Sequence, residues 1–431
     1  MRIGVIGAGY VGLVTGVSLA QRGGHEVTLI EKAPSRLSML RDGVMPIHEP
    51  GLSEAFKDSG ARLRIVDSLT AAGDQELTFV AVATPISESG EPDLSQLQSA
   101  ISELRDRPDS HLSIRSTLPP GLSIRLPQLL GRRGGERLST NPEFLRQGSA
   151  MADYADPSRI VLGVYPETSK EHLDILERTF ESIRAPRMSV SVSAAELIKN
   201  VANGFLALKL SFVNEVAALS EEFGVEVDEV LDGIALDPRI GSSYMRPGLG
   251  FGGSCLPKEL QVLALAGRRS GIPMHIARAV AQVNVEQQDR FIRRILAELP
   301  PSEGRVGLLG LSFKARTDDL RGSPAVYVAR RLLEAGHSVY AYDPAVRRDR
   351  AEVAAPGICI VSAAEDVFDG AHAVVVATEW PEFTEIDLAK QVGRLARPVL
   401  FDGRNLIDPA VATRAGYDYH GIGRRLRPAA G

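Results

Sequence analysis

Cys255 closes the string Gly250-Phe251-Gly252-Gly253-Ser254-Cys255, and Pro257 follows two residues later. Proline suits the first turn of a helix, so this spacing places the thiol at a helix N-terminus. The positive end of a helix dipole, with Lys258 beside it, favours the thiolate, which is the attacking form of a cysteine. That is the setting of a covalent nucleophile. Glu259 stands four residues after Cys255, so on a helix the carboxylate and the thiol face the same side. Lys199 and Asn203 are also four apart, and one helix face can present an ammonium and an amide to one substrate. The other cysteine, Cys359, sits in an apolar strand-like run and reads as packed and inert.

A second chemical signal opens the chain. Gly7-Ala8-Gly9-Tyr10-Val11-Gly12 fits G-x-G-x-x-G between a strand and a helix, and Glu31 ends the next strand 19 residues after Gly12. Gly7 permits the tight turn, Gly9 lets backbone approach a pyrophosphate, and Gly12 lets helix and strand pack closely. The helix N-terminus then offers free N–H groups to phosphate. Glu31 can accept from both ribose hydroxyls and repels a 2′-phosphate, which favours NAD over NADP; Lys32 and Arg36 act against that preference. The turn alone does not separate NAD from a flavin.

The elements that must position these residues follow from periodicity. Ile3–Ile6, His25–Ile30, Leu77–Ala83, Leu112–Ile114 and Ile160–Val164 read as strands, with helices at Val11–Gln21, Leu94–Leu104 and Lys170–Phe180. This order predicts a doubly wound α/β domain over residues 1–192. From Ala194 to Phe223 proline is absent, and Leu197, Val201, Phe205, Leu208, Phe212, Val216 and Leu219 recur at helical spacing. One long helix is expected there, of the kind that bridges domains or seams a dimer, within a helical segment over residues 193–299. Pro300-Pro301 marks a boundary. In residues 300–431, Arg305–Gly310 and Gly336–Asp343 repeat the opening theme without the three-glycine turn. Arg424–Gly431 reads as a disordered tail.

Composition bounds the rest. A chain of 431 residues calls for more than one core. A net charge of −5 gives no pull toward nucleic acid or an anionic membrane, so an anionic ligand needs local donors. No apolar run reaches the roughly 18 residues of a membrane span, and no export signal is read, so a cytoplasmic location is expected. Two distant cysteines make no disulfide framework, and the scattered histidines form no metal cluster.

Strings along nearly the whole chain resemble the UDP-glucose/GDP-mannose dehydrogenase family. They include MPIHEPGL (Met45–Leu52), VATP (Val82–Pro85), STLPPG (Ser116–Gly121) and NPEFLRQGSA (Asn141–Ala150). AELIKNVAN (Ala195–Asn203), DPRIG (Asp237–Gly241), GFGGSCLPKE (Gly250–Glu259), GLSFKARTDDLRGSP (Gly310–Pro324) and DGRN (Asp402–Asn405) follow in the family's order. The resemblance implies an α/β fold of two Rossmann-like doubly wound domains joined by a long central helix, through which a homodimer forms. It implies two hydride transfers to NAD, carrying a C6 alcohol through an aldehyde and a cysteine thioester to an acid. Glu143 is then the base of thioester hydrolysis, Thr117 positions water, and Lys199 and Asn203 face the sugar. Tyr10, Val11, Lys32, Thr84, Thr117, Gln147, Lys258 and Arg321 fall at the cofactor. Phe144, Leu145, Arg239, Phe251, Gly252, Lys314 and Arg404 fall at the substrate, with Arg239 reaching from a partner subunit.

Two positions around the site depart from the family pattern, since Gln147 and Glu259 stand where Glu and Asp are usual; Leu122, after STLPPG where Thr is usual, is a minor departure. DPRIG and DGRN resemble the UDP-glucose branch, whereas YMRPG (Tyr244–Gly248) and SCLPK resemble the GDP-mannose branch. UDP-glucose is the first expectation. dTDP-glucose and GDP-mannose are alternatives, with UDP-N-acetylmannosamine below them. A non-catalytic sugar-nucleotide or NAD sensor would tolerate both departures. A 2-hydroxyacid-type dehydrogenase would need no loop-borne cysteine.

Overall fold

In the computed structural model, residues 1–87 and 90–424 are described. Short runs of branched and leucine side chains, bounded by glycine and polar turns, form two sheets. The first holds β1 (Arg2–Ile6), β2 (Glu26–Ile30), β3 (Leu63–Val66), β4 (Leu77–Val80), β5 (Leu112–Ile114), β6 (Leu138–Thr140), β7 (Ile160–Val164) and β8 (Arg187–Ser191). Their order is β3-β2-β1-β4-β5-β6-β7-β8. Neighbours are parallel except β6 and β7, so the last two strands run against the other six.

The second sheet holds β9 (Arg305–Leu309), β10 (Ser338–Tyr342), β11 (Cys359–Ile360), β12 (Ala373–Val376), β13 (Val399–Asp402) and β14 (Asp418–Gly421). It is parallel throughout, in the order β11-β10-β9-β12-β13-β14. In each sheet the chain reverses direction of growth at its first strand, β1 or β9. Open α/β sheets bind ligands beyond the carboxyl ends of the strands at such a switch point.

Both faces of the central strands are covered, and the side chains show it. Ile3, Val5, Leu29 and Phe79 are fully buried in the first sheet; Val306, Leu308, Val375 and Phe401 are buried in the second. The chain divides into two compact units. One comprises residues 1–202 with 265–272; the other comprises 203–264 with the described residues from 273 onward.

The helix that opens the first sheet spans Tyr10–Gln21, and the long helix spans Val192–Phe223. Its apolar residues do not form one stripe. Leu208 and Val216 pack inward, while Leu197, Val201, Phe205, Phe212 and Leu219 are 46–60% exposed. No helix among the described residues is long and apolar enough to cross a membrane.

Several expectations are corrected. β4 ends at Val80, short of Ala83, where the chain turns into the Val82–Pro85 string. β3, β6 and β8 lack the apolar run that marks a buried strand: they read Leu-Arg-Ile-Val, Leu-Ser-Thr and Arg-Met-Ser-Val-Ser. Cys359 is exposed rather than packed, because β11 is a two-residue strand at the edge of its sheet. Arg424, expected in a disordered tail, pairs with Glu226 and Asp228. The remainder of that tail, residues 425–431, lies outside the described residues.

Candidate active site

The first unit carries the dinucleotide turn. A Cβ on Gly12 would lie 1.8 Å from the Gly7 carbonyl oxygen, so no other residue allows the helix to meet the strand there. A Cβ on Gly9 would meet nothing within 4 Å. Gly9 precedes Tyr10 and supplies no side-chain cap, so the helix begins with its backbone facing open space. That is a cradle for a pyrophosphate.

Glu31 is buried beside it, accepting from Ala8 N at 3.0 Å, Ala33 N at 2.8 Å and Arg36 Nη1 at 2.9 Å. A carboxylate has about four acceptor positions, which leaves capacity for a ribose hydroxyl. Lys32 pairs with Glu103. Both cations that opposed the NAD preference are thus neutralised by a carboxylate. These residues fit NAD.

The same unit brings Lys199 to Glu143. Both are buried, with Nζ 3.2 Å from Oε1. Burial by itself pushes the Glu143 carboxyl up. The Lys199 ammonium, the Leu145 N–H at 2.7 Å and the Arg115 guanidinium outweigh that and hold it below the usual carboxylate range. Arg115 is itself buried, bonded through Nε to Thr15 Oγ1 at 2.9 Å and through Nη1 to Asn141. Phe144 carries Arg159 over its ring at 3.8 Å, with Lys199 at 5.4 Å.

Thr117 sits on a loop held from two sides. Its carbonyl accepts from Thr84 Oγ1 at 2.9 Å. Beyond it, Glu196 accepts from Gly121 N and Ser123 N, and Asn200 donates to Leu118 O. Arg115, Glu196 and Asn200 are supports that sequence reasoning missed. Glu196 and Asn200 flank Lys199 in the Ala195–Asn203 string, which was the available signal. Tyr10, which begins the helix at the dinucleotide turn, donates its hydroxyl to Glu49.

The second unit carries the thiol. The helix Leu256–Arg269 begins immediately after Cys255, with Pro257 in its first turn, and the thiol is free and exposed. Glu259 N donates to Cys255 O at 2.9 Å, so the two are one turn apart. Their environments differ: Glu259 is 1% exposed and its carboxylate is ion-paired with Lys258, whose Nζ lies 3.3 Å from Oε1, with no other donor to it among the described residues. A buried carboxylate in that state has acceptor capacity for a water or a substrate hydroxyl.

The loop before Cys255 is irregular, and buried amides pin it. Asn284 accepts from Phe251 N at 2.7 Å and donates to Phe251 O at 3.0 Å. Gln287 donates to Gly248 O, and Asn214 accepts from Gly248 N. A Cβ on Gly252 would lie 2.1 Å from Gly322 O, which makes glycine obligatory. Gly253 N donates to Arg321 O at 2.9 Å. The Asp319 carboxylate binds Arg321 and raises its proton affinity, burial opposes this, and Cys255 adds to it, so the guanidinium lies within electrostatic reach of the thiol.

Lys314 and Arg404 are brought together around Phe313. Lys314 Nζ lies 5.7 Å from the ring, and Arg404 Nη2 donates to Phe313 O at 3.1 Å. Arg404 also donates to Ala377 O and pairs with Glu379. Arg239 stands apart, paired with Asp237 and 88% exposed. Asn203 is half-buried, one turn from Lys199 along the long helix.

Comparison with known proteins agrees along the chain. Three family models match: the NAD binding domain of the UDP-glucose/GDP-mannose dehydrogenase family over residues 1–183, its central domain over 193–286, and its UDP binding domain over 307–409. A UDP-glucose 6-dehydrogenase of Pseudomonas aeruginosa is 37% identical, covering 98% of this chain and 98% of the relative. The UDP-glucose 6-dehydrogenase TuaD of Bacillus subtilis is 34% identical, covering 98% and 93%. The structure of a UDP-glucose dehydrogenase from the archaeon Pyrobaculum islandicum superposes with a TM-score of 0.88 at 34% identity, covering 98% of each chain. A UDP-D-ManNAc dehydrogenase from Pyrococcus horikoshii gives 0.86 at 27% identity, covering 99% and 100%.

Proposed function

This chain belongs to the UDP-glucose/GDP-mannose dehydrogenase family, and from that premise we propose that it oxidises the C6 alcohol of UDP-glucose to the carboxylate through a covalent adduct on Cys255. The observation that carries the reading is the pairing of chemistries: an open dinucleotide turn in one unit and an exposed thiol at a helix N-terminus in the other. Residues 1–192 hold NAD, residues 193–299 carry the thiol, and residues 300–431 hold the nucleoside diphosphate.

NAD, held by the Gly7–Gly12 turn and Glu31, would supply the hydride acceptor for both oxidations at C6. The chain's own residues do the rest. Lys199 stabilises negative charge on the C6 oxygen as the alcohol proton passes to water and the hydride leaves C6, and Asn203 hydrogen-bonds the sugar. The Cys255 thiolate adds to the C6 aldehyde, and the resulting thiohemiacetal is oxidised to a thioester. Glu143, held ionised, takes a proton from the attacking water; Thr117 orients that water, and Glu259 accepts a hydrogen bond from it. The C–S bond then breaks, and the thiol returns with the acid released. Lys314 and Arg404 bind the diphosphate, and Phe251 and Gly252 line the sugar.

The exposed residues Leu197, Val201, Phe205, Phe212 and Leu219 support a homodimer seamed along the long helix, with Arg239 crossing to the partner's sugar. A cytoplasmic enzyme is the reading for location. Cys255→Ser tests the mechanism: acid formation should fall on the order of a thousandfold or more, with NADH affinity unchanged. Undiminished acid output would overturn the covalent route.

A further inference from the structure

The string Met45–Leu52 places one carboxylate at a junction. Glu49 is 5% exposed. It accepts from the Tyr10 hydroxyl, from Gly148 N at 2.6 Å and from Ala150 N at 2.7 Å. Its own backbone is anchored, since Leu52 N donates to Glu49 O and Leu52 is fully buried in the first core. Tyr10 is the first residue of the helix whose N-terminus faces the pyrophosphate cradle. Gly148 follows Gln147 directly, and Glu143 lies on the same Asn141–Ala150 string.

We propose that Glu49 is a positioning residue for the oxidation, holding the dinucleotide turn and the Gln147–Ala150 loop in one register so that both ends of the bound dinucleotide are placed together. This rests on the function proposed above. The chemistry requires a carboxylate. Three donors converge, and both oxygens accept: Oε2 from Tyr10 and Gly148, Oε1 from Ala150. A glutamine of equal volume would turn its NH₂ toward one of these N–H groups and lose that contact. The effect should fall on the cofactor and on hydride transfer. It should spare the nucleoside diphosphate, whose proposed ligands Lys314 and Arg404 belong to the other unit.

The test uses the full chain and reads NADH affinity by fluorescence without sugar, the KM of each substrate, kcat and Tm. For Glu49→Gln, NADH Kd and the KM for NAD⁺ should each rise about tenfold, the loss expected for one hydrogen bond to a charged group. kcat should fall by a similar factor, and the KM for UDP-glucose should stay within about twofold. Tyr10→Phe removes only the hydroxyl and should weaken NADH about threefold. Because the two act through one contact, the double variant should bind NADH no worse than Glu49→Gln alone. NADH affinity within twofold of wild type in both single variants, or effects that simply add, would overturn the proposal. If Glu49→Gln cannot be recovered folded, an unchanged NADH Kd in Tyr10→Phe overturns it alone. A wild-type chain that reduces no NAD⁺ with any sugar nucleotide would instead remove the function reading, while the NADH Kd would still judge Glu49.

Discussion

The turns that follow β1 and β9 begin alike and end differently. In each, a glycine N–H donates across the sheet at 2.8 Å, Gly7 to Ile30 O and Gly310 to Tyr342 O. In each, an acid directly follows the next strand, Glu31 after β2 or Asp343 after β10. Glu31 takes only one N–H from its turn, that of Ala8. Asp343 takes the N–H groups of Leu311 and Ser312, the Ser312 hydroxyl and the Trp380 indole on one oxygen, and Ala345 N and Val346 N on the other. Where Gly9 meets open space, Ser312 is fully buried.

The helices differ too. Tyr10 starts one at once, whereas the second helix waits until Pro324, and the intervening segment carries Lys314 and Arg321. The same strand-turn scaffold thus offers backbone amides to a phosphate in one copy. In the other it turns them inward and leaves anion binding to side chains.

Glycine substitutions in the first turn probe this most strongly. Gly12→Val puts atoms inside van der Waals contact with Gly7 O, so NADH affinity should fall by about a hundredfold or more, with a lower Tm. Gly9→Ala has room in the protein, so Tm should hold while NADH Kd rises about tenfold through the ligand alone. A Tm loss for Gly9→Ala matching that of Gly12→Val would erase the contrast between an open and a closed turn.

The acids should then behave oppositely. Asp343→Asn replaces one acceptor oxygen with a donor amid six donors, at a cost of about 2–4 kcal/mol of stability, with NADH affinity unchanged. Glu31→Gln should weaken NADH binding more than it lowers Tm. A shared phenotype would mean that both acids only brace their turns.

A smaller effect sharpens how charge is used in the first unit. Glu143 has one protein N–H and two cations rather than a full shell of amides. Its lowered carboxyl stays ionised as pH falls, so hydrolysis persists toward acid. Lys199→Met leaves burial less opposed, raises the Glu143 carboxyl and moves the acid limb of the kcat profile to higher pH. An unmoved limb would show that Glu143 does not limit turnover there.

Local signals explain what could be read in advance. The glycine turn, the start of the Leu256–Arg269 helix and the limits of the long helix follow from spacing alone, because each depends on residues within a few turns. Strands β3, β6 and β8 were not visible, since Arg64, Ser139 and the exposed β8 break any apolar run. The braces of the site were hidden for a different reason. Glu49 meets Ala150 across 101 residues and Arg115 meets Thr15 across 100, and no periodicity encodes such pairs. Glu49 and Glu196 stand in strings that mark the family, but their roles appear only once their partners are placed.

The central claim is a four-electron oxidation at one carbon. With limiting UDP-glucose and excess NAD⁺, the NADH formed per sugar consumed measures it directly. The account predicts two. One NADH per sugar would place the stop at the aldehyde and contradict the thioester route; none with UDP-glucose, but two with dTDP-glucose or GDP-mannose, would contradict the substrate.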